Sequence, residues 1–164
     1  MTHLTLAVIV ILAACAAPEN AQAPYTIGPE GAGGLSAQTP FTVPAIERAF
    51  PGLDVITVAE TDLPAFHIRE AGSETPLYIV TPDWTRGYAG AVATTSPDVI
   101  GPGRLRAGLS HLSDVPATLP PTCAAPETPG EITLVCETPG FRLEFSGAGN
   151  DPLLARQTYL PPVP

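Results

Sequence analysis

The sequence predicts an α+β domain that is mainly antiparallel β, compact and single, with one short N-terminal helix packed on a sheet and one disulfide. Short apolar runs with alternating polarity recur between Pro, Gly and Asp residues over the second and third thirds of the chain, which is typical of antiparallel strands. The 164 residues include 21 Pro and 15 Gly, a content that favours many turns and few long helices.

Residues 1–14 have the organisation of a lipoprotein signal peptide. An apolar run from Leu4 to Leu12 precedes two small residues and Cys15, as an h-region precedes a cleavage zone. The run is too short for a membrane span, because about 20 apolar residues are needed to cross the hydrocarbon core. The order Leu12-Ala13-Ala14-Cys15 resembles the bacterial lipobox, in which the cysteine thiol takes a diacylglycerol. An ordinary secretory signal with a small-x-small cleavage site is the alternative.

Lipid on Cys15 would place the protein at a membrane. Two or three acyl chains, such as palmitate, hold a protein stably in a membrane, because each buried methylene contributes about 0.8 kcal/mol. Ala16 follows the cysteine, where an Asp would resemble an inner-membrane retention signal. We therefore expect a lipid-anchored protein of the outer membrane that faces the periplasm, with residues 15–24 as a lipidated tether and residues 25–164 as one globular β-rich domain.

The two other cysteines, Cys123 and Cys136, form an even pair in an oxidising compartment once Cys15 carries lipid. We expect a disulfide between them, which would stabilise the fold by about 3 kcal/mol in the chain-entropy model. Two free thiols or half of a metal site are the alternatives. Zinc sites need four ligands at characteristic spacings, and the sequence has neither a CxxC nor an HxxxH pattern. We expect no metal and no cofactor.

One helix and seven strands are expected from local patterns. Thr42 is the expected N-cap of a helix from Pro44 to Phe50, and Pro51-Gly52 is its stop. Pro139 and Gly140 fit positions i+1 and i+2 of a type II turn in the last hairpin. Cys136 lies at the root of that hairpin, so a disulfide would attach the Pro-rich loop 116–129 to the sheet. The expected strands are residues 55–59, 66–69, 77–80, 88–94, 132–136, 141–145 and 156–159.

The charge of the chain argues against a nucleic acid partner. The formal net charge is −9, and all seven basic residues are Arg. An acidic surface without basic clusters repels phosphate backbones. Arg104 and Arg106 are the nearest approach to a basic patch, because residues two apart face the same way in a strand. Two arginines are more often a solvated edge than a ligand site, so they are weak candidates for partner contact.

No catalytic constellation is evident, and we expect the protein not to be an enzyme. Ser36 and Ser110 begin like nucleophile elbows but lack the closing glycine. His67 lies in a strand pattern opposite its apolar neighbours and should be exposed, while His111 with Asp114 is expected to be a surface contact.

Trp84 is the one tryptophan of the chain and lies in an expected turn. Aromatic residues in loops often contact a partner or ligand, although a local packing role is an equal alternative. Trp84 and His67 are therefore weak candidates for partner contact.

Several segments resemble a known family in their order. The run from Gly33 to Phe41, followed by Ile46 to Phe50 and Pro51-Gly52-Leu53, looks like the opening of the small envelope lipoproteins under sigma-E stress control. This is a domain family of unknown function. The same order continues in His67-Ile68-Arg69, Pro76-Leu77, the pair Cys123 and Cys136, and the run from Leu143 to Gly147. Residues Gln157 to Pro162 depart from the aromatic-rich ending expected of the family.

The resemblance implies an outer-membrane lipoprotein with one compact domain and no established enzymatic activity, so no catalytic residue is carried over. We expect a non-enzymatic envelope protein with a structural or stress-related role. It would perform this role through contacts with an envelope protein or the cell wall. A small periplasmic ligand-binding domain or hydrolase is the first alternative and would need a deep pocket. A protein inhibitor that presents the loop 116–129 is the other.

Overall fold

The computed structural model describes residues 25–60, 63–119 and 121–162. The predicted signal peptide, Cys15 and the tether therefore lie outside the described residues. Within the described ranges no helix is both long and apolar enough to cross a membrane. These ranges contain one α-helix, α1 (Val43–Ala49), and ten strands: β1 (Ile27–Gly28), β2 (Gly31–Ala32), β3 (Asp54–Glu60), β4 (Leu63–Arg69), β5 (Tyr78–Pro82), β6 (Ala89–Thr94), β7 (Thr122–Ala124), β8 (Ile132–Thr138), β9 (Phe141–Ser146) and β10 (Leu153–Tyr159).

Eight of the strands form one antiparallel sheet in the order β3-β4-β5-β6-β10-β9-β8-β7. The first four strands of this sheet follow one another along the chain, and so do the last four in reverse. The last strand in sequence, β10, pairs with β6 on one side and with β9 on the other, and thereby joins the two halves. Strands β1 and β2 form a separate small hairpin. The predicted α+β class, mainly antiparallel with one helix, is confirmed.

All seven predicted strands are present, with shifted ends. Strand β4 begins at Leu63 and includes Pro64, which pairs with Ala59 on the neighbouring strand. Strand β10 begins at Leu153, directly after Pro152, and a register shift follows Leu154. Strands β1, β2 and β7 were not predicted, because two or three residues are too few to show alternation.

The core lies on one face of the sheet. Its central row crosses five strands, since the register pairs Phe66 with Val80, Val80 with Val92, Val92 with Tyr159 and Tyr159 with Phe141. All five side chains are buried, and full burial of a side chain such as Val or Phe contributes about 1.5–3 kcal/mol. This row carries the hydrophobic core across the β6–β10 pairing, where the two halves of the sheet meet.

Helix α1 packs on the β3 side of the core. Ile46 is fully buried, and the ring of the C-cap residue Phe50 lies 5.1 Å from that of Tyr78. Thr42 is the N-cap in extended conformation, but its side chain makes no capping hydrogen bond. The backbone N–H of Phe50 donates to the carbonyl of Ile46, and Gly52 follows with φ +84. The predicted helix and its stop are therefore confirmed.

The segment between β6 and β7 covers the core on the β10 side and corrects one sequence expectation. Arg104 and Arg106 do not lie on a strand: Pro102–Arg104 forms a tight turn in which Gly103 and Arg104 have φ of 65 and 70, and Arg106 follows in an irregular segment. Arg104 is exposed and Arg106 is half-buried, while Leu105 between them is buried in the core. The two arginines therefore lack the strand geometry that would place both side chains on one face as a basic patch.

Cys123 and Cys136 are joined by a disulfide, as the parity of the cysteines predicted. The two residues face each other in the β7–β8 register. Cys136 is fully buried, whereas all three residues of β7 are exposed. The disulfide therefore fastens a short, exposed edge strand to the core.

Candidate functional site

The turn between β5 and β6 is held by the carboxylate of Asp83. The hydroxyl of Thr85 donates to Asp83 Oδ1 at 2.8 Å, and the backbone N–H of Tyr88 donates to the same oxygen at 3.2 Å. The backbone N–H of Asp83 in turn donates to the carbonyl of Tyr88 at 2.8 Å. Aspartate suits this position because its short side chain bonds to backbone groups two or more residues ahead. Residues 83–88 therefore form a rigid turn.

Gly90 allows this turn to fold back closely on β6. A Cβ atom at position 90 would lie 2.5 Å from the backbone N of Asp83 and from the carbonyl oxygen of Pro82. The β5–β6 register also shifts between Thr81 and Pro82, and such a bulge increases the local twist and redirects side chains. The close approach explains why this strand position carries glycine.

The pKa of the Asp83 carboxyl lies below its usual value. Partial loss of hydration raises it, but the hydrogen bonds from the Thr85 hydroxyl and from the backbone N–H groups of Tyr88, Gly87 and Arg86 together outweigh that effect. The carboxylate form is the form that organises the turn.

Two aromatic side chains project from this turn. Trp84 is 88% exposed and Tyr88 is 46% exposed. They border a groove of about 440 Å³, which we call the Trp84 groove. Its other lining residues are mainly apolar or small: Ala37, Thr81, Pro82, Asp83, Thr85, Ala89, Gly90, Ala91, Pro161 and Pro162.

The groove opens onto the face of the sheet that lies opposite the core, which we call the open face. Thr81 and Ala91 line both the Trp84 groove and a neighbouring cavity of about 180 Å³ on this face. The middle row of the open face follows from the strand register and consists of Ile56, His67, Ile79, Ala93, Thr158, Arg142, Glu137 and Thr122.

A His67–Glu60 contact and an Arg142–Glu137 ion pair flank the small residues of the open face. On the β3–β4 side, His67 Nε2 lies 2.7 Å from Glu60 Oε1. On the β8–β9 side, Arg142 Nη2 lies 2.7 Å from Glu137 Oε1. His67 points away from Phe66 and Ile68 as the alternation predicted, but the expectation that it is exposed is wrong. Its side chain is 24% exposed, because Glu60 and the neighbouring strands cover it.

The four residues that the sequence suggests as partner contacts therefore lie in different parts of the structure. Trp84 borders the groove, whereas His67 lies on the open face and Arg104 and Arg106 lie in the segment after β6. None of the last three lines the Trp84 groove in the described part of the chain.

The nucleophile candidates are engaged in local structure. Ser36 Oγ lies 3.3 Å from Thr39 Oγ1, and Ser110 Oγ accepts the backbone N–H of Arg106 at 3.0 Å. The hydrogen bonds of the described residues include none between either serine and a histidine. Residues 25–60, 63–119 and 121–162 also contain no cluster of three or more His, Cys, Asp or Glu side chains placed to hold a metal ion.

His111 and Asp151 join two loops. The backbone N–H of His111 donates to Asp114 Oδ2 at 2.8 Å, in agreement with the predicted local contact. Asp151 accepts the backbone N–H and the hydroxyl of Ser113 at 2.8 and 3.0 Å. These bonds from Ser113, with the nearby His111, lower the pKa of the Asp151 carboxyl despite its partial loss of hydration. The glycine-rich run of residues 147–149 is therefore followed by Asp151, whose side chain connects its loop to the loop of Ser113.

Sequence reasoning missed Tyr88, Pro161 and Pro162. The sequence pattern assigns Tyr88 to a strand, but Tyr88 also follows Trp84 by four residues across a Gly-containing turn. That spacing could have indicated that the two aromatic side chains lie close together. The two prolines lie more than seventy residues from Trp84 in the sequence, so no local pattern connects them with the groove.

The fold and the groove define a class of protein: a small α+β domain on an eight-stranded antiparallel sheet with one disulfide and an exposed aromatic groove. A solved structure of similar fold is that of the uncharacterized protein yfeY from Escherichia coli, with a TM-score of 0.57 and 15% sequence identity, over 82% of this chain and 99% of that chain. No protein-family model matches the chain, and no curated protein matches it.

Proposed function

We propose that this protein is a non-enzymatic lipoprotein of the outer membrane that binds an extended segment of an envelope protein in the Trp84 groove. Lipid on Cys15 anchors it, and the domain faces the periplasm. The observation that carries the binding proposal is Trp84 itself, 88% exposed on a turn that the Asp83 hydrogen bonds hold in place.

The exposed aromatic pair favours binding on energetic grounds. A tryptophan side chain buries roughly 150–250 Å² when a partner covers it, and large aromatic residues dominate the energy of many interfaces. The turn that presents Trp84 is already ordered by Asp83 and Thr85. Binding therefore costs little additional conformational entropy at this site.

The lining of the groove favours a peptide over a glycan. Apolar and proline side chains surround Trp84 and Tyr88, and aromatic-lined grooves of this kind accept extended proline-containing segments in many recognition domains. A glycan would need free charged or amide groups for its hydroxyls, and the described lining contains no Asn, Gln, Arg, Lys or Glu. The Asp83 carboxylate, which is the charged group of the groove, already accepts hydrogen bonds from Thr85 and Tyr88.

Metabolic labelling with an acyl probe tests the anchor. We expect the label on the wild-type protein and not on Cys15→Ser. Label of equal intensity on the Cys15→Ser protein would refute lipidation at this residue.

Photocrosslinking in intact cells tests the groove. A benzoylphenylalanine in place of Trp84 should give one discrete adduct, whereas the same group in place of Leu109, which is 60% exposed on another loop, is the matched control and should not give it. The crosslinked partner peptide should be extended and rich in proline or other apolar residues. Adducts of the same pattern from both positions would contradict a specific site.

Tryptophan fluorescence then tests binding directly, because Trp84 is the one tryptophan of the chain. The full-length protein in detergent is titrated with a synthetic peptide of the crosslinked segment. We expect a saturable blue shift of the emission, and loss of peptide affinity by about tenfold or more in Tyr88→Ala. A shift produced by purified cell-wall sacculi but not by the peptide would refute the protein partner.

A further inference from the structure

The two edges of the eight-stranded sheet differ in length and protection. At one edge, β7 has three residues and is joined to β8 by the Cys123–Cys136 disulfide. At the other edge, β3 has seven residues, and its register with β4 is unbroken from Asp54 to Glu60. Natural proteins usually shorten, bulge or cover an edge strand, since its unpaired backbone groups are a template for another strand. The β7 edge is shortened in this way, whereas the β3 edge keeps its full length.

The outer side of β3 is not paired with any strand of the described ranges. Within the described ranges, the backbone hydrogen bonds of residues 54–60 are those of the β3–β4 ladder. In an antiparallel edge strand, every second residue directs its N–H and C=O away from the sheet. All seven residues of β3 are exposed or half-buried, so a second chain has access to these groups.

We propose that β3 is a second binding surface, to which an extended segment of a partner protein adds as a ninth strand with basic residues at its two ends. This proposal goes beyond the Trp84 groove, because it uses a different surface and a main-chain ladder as the source of affinity.

The chemistry of the partner follows from the side chains on one face of β3. Asp54, Ile56, Val58 and Glu60 alternate onto the open face, with an acidic residue at each end and two apolar residues between them. Side chains directly opposite each other on paired strands interact, and opposite charges are favourable there. The complementary segment therefore has the order basic-x-apolar-x-apolar-x-basic, where x is any strand-forming residue.

The groups on β4 offset part of this acidic character. Arg69 is paired with Asp54 in the register, but the ion pairs of the described chain do not include Asp54. His67 contacts Glu60 at 2.7 Å, and Glu60 remains 39% exposed. The whole chain carries a net charge of −9, so a basic segment is also attracted from a distance.

A second copy of this chain is a poor occupant of the same edge. In a symmetric antiparallel pairing of β3 with itself about Thr57, Asp54 would lie opposite Glu60 at both ends of the strand. Like charges directly opposite each other are destabilising. The acidic ends therefore favour a basic partner and oppose self-association.

A pair of synthetic peptides tests the charge requirement. The probe Lys-Thr-Val-Thr-Ile-Thr-Lys and its control Glu-Thr-Val-Thr-Ile-Thr-Glu are titrated into the full-length protein in detergent, with fluorescence anisotropy of the labelled peptide as readout. We expect the basic probe to bind roughly tenfold more tightly than the acidic one. The double variant Asp54→Lys/Glu60→Lys should reverse this preference, and an unchanged preference would overturn the proposal.

Two N-methylated forms of the basic probe test the ladder without altering the protein. Methylation of one alternate set of amides removes the donors that face β3, whereas methylation of the other set leaves them. We expect one methylated probe to lose at least about tenfold in affinity and the other to bind as the parent does. Equal behaviour of the two probes would mean simple charge attraction and would overturn strand addition.

Hydrogen exchange measured by mass spectrometry locates the probe. We expect slower exchange over residues 54–60 with no change in Trp84 emission, which separates this surface from the groove. Protection of residues 54–60 that rises with protein concentration alone would identify a second copy as the occupant and overturn a basic partner. Failure of the groove experiments would leave these readouts unaffected.

Discussion

Gly101 and Gln157 meet where the segment after β6 crosses β10. The Gln157 side chain is fully buried, its Nε2 donates to the carbonyl of Leu105 at 3.4 Å, and its Oε1 has no hydrogen-bond partner in the described chain. A Cβ atom on Gly101 would contact that Oε1 directly. A buried polar residue without a full set of partners costs free energy, so this site depends on exact packing.

We predict that Gly101→Ala lowers the free energy of unfolding by about 1–3 kcal/mol, because the added methyl overpacks a site that cannot expand. In a Gln157→Ala background the same change should cost less, with a coupling of at least about 0.5 kcal/mol. Urea denaturation of wild type, the two single variants and the double variant measures both the loss of stability and the coupling. Gly130→Ala is the matched control, since a Cβ there meets nothing within 4 Å. Additive effects would contradict the contact.

A second residue-scale prediction concerns Asp83. Its pKa lies below the ordinary value of 3.8, so its charged form stabilises the folded state above that value, and this stability is lost as the pH falls through the lower, folded pKa. As the pH falls below about 4, thermal stability should therefore fall more steeply in wild type than in Asp83→Asn. Circular dichroism melts at several pH values measure this difference, and parallel curves would contradict it.

At the scale of elements, the disulfide confines its effect to one edge. Removing it should destabilise the protein by about 3 kcal/mol in the chain-entropy model. Only β7 should detach, because β8 stays paired with β9, in a continuous register from Leu134 to Thr138. We predict faster hydrogen exchange over residues 122–124 in Cys123→Ala/Cys136→Ala, with β8 and β9 still protected. Equal loss of protection over β8 would show that the disulfide supports the whole half-sheet.

The elements also show which parts of the fold were accessible to sequence reasoning. The helix and the longer strands were predicted because their apolar periodicity and their Pro and Gly boundaries are local signals. The pairing of β10 with β6 and with β9 was not predicted, because strand partners are set by contacts that are distant in the sequence. For the same reason Trp84 was found as a candidate, whereas the groove that Pro161 and Pro162 complete was not. The free edge at β3 was also invisible before the strand order was known.

At the scale of the whole molecule, β10 makes the two halves of the sheet interdependent. Leu154 on β10 is fully buried, and a Leu→Ala change at such a site costs about 2–5 kcal/mol. We predict that Leu154→Ala lowers hydrogen-exchange protection in β5 and in β9 by the same free energy, because both halves unfold together. Val135→Ala, half-buried near the β7 edge, should have the smaller effect. Loss of protection confined to β9 would show that the halves are independent.

The position of β10 also bears on when this protein can fold. The strand that joins the two halves is made of residues 153–159, which leave the ribosome, and cross any membrane, after the rest of the sheet. The pairing of β6 and of β9 with β10 must wait for these residues, so the complete sheet forms only after the rest of the chain has emerged. If the proposed export signal directs translocation, the sheet would be completed on the far side of the membrane.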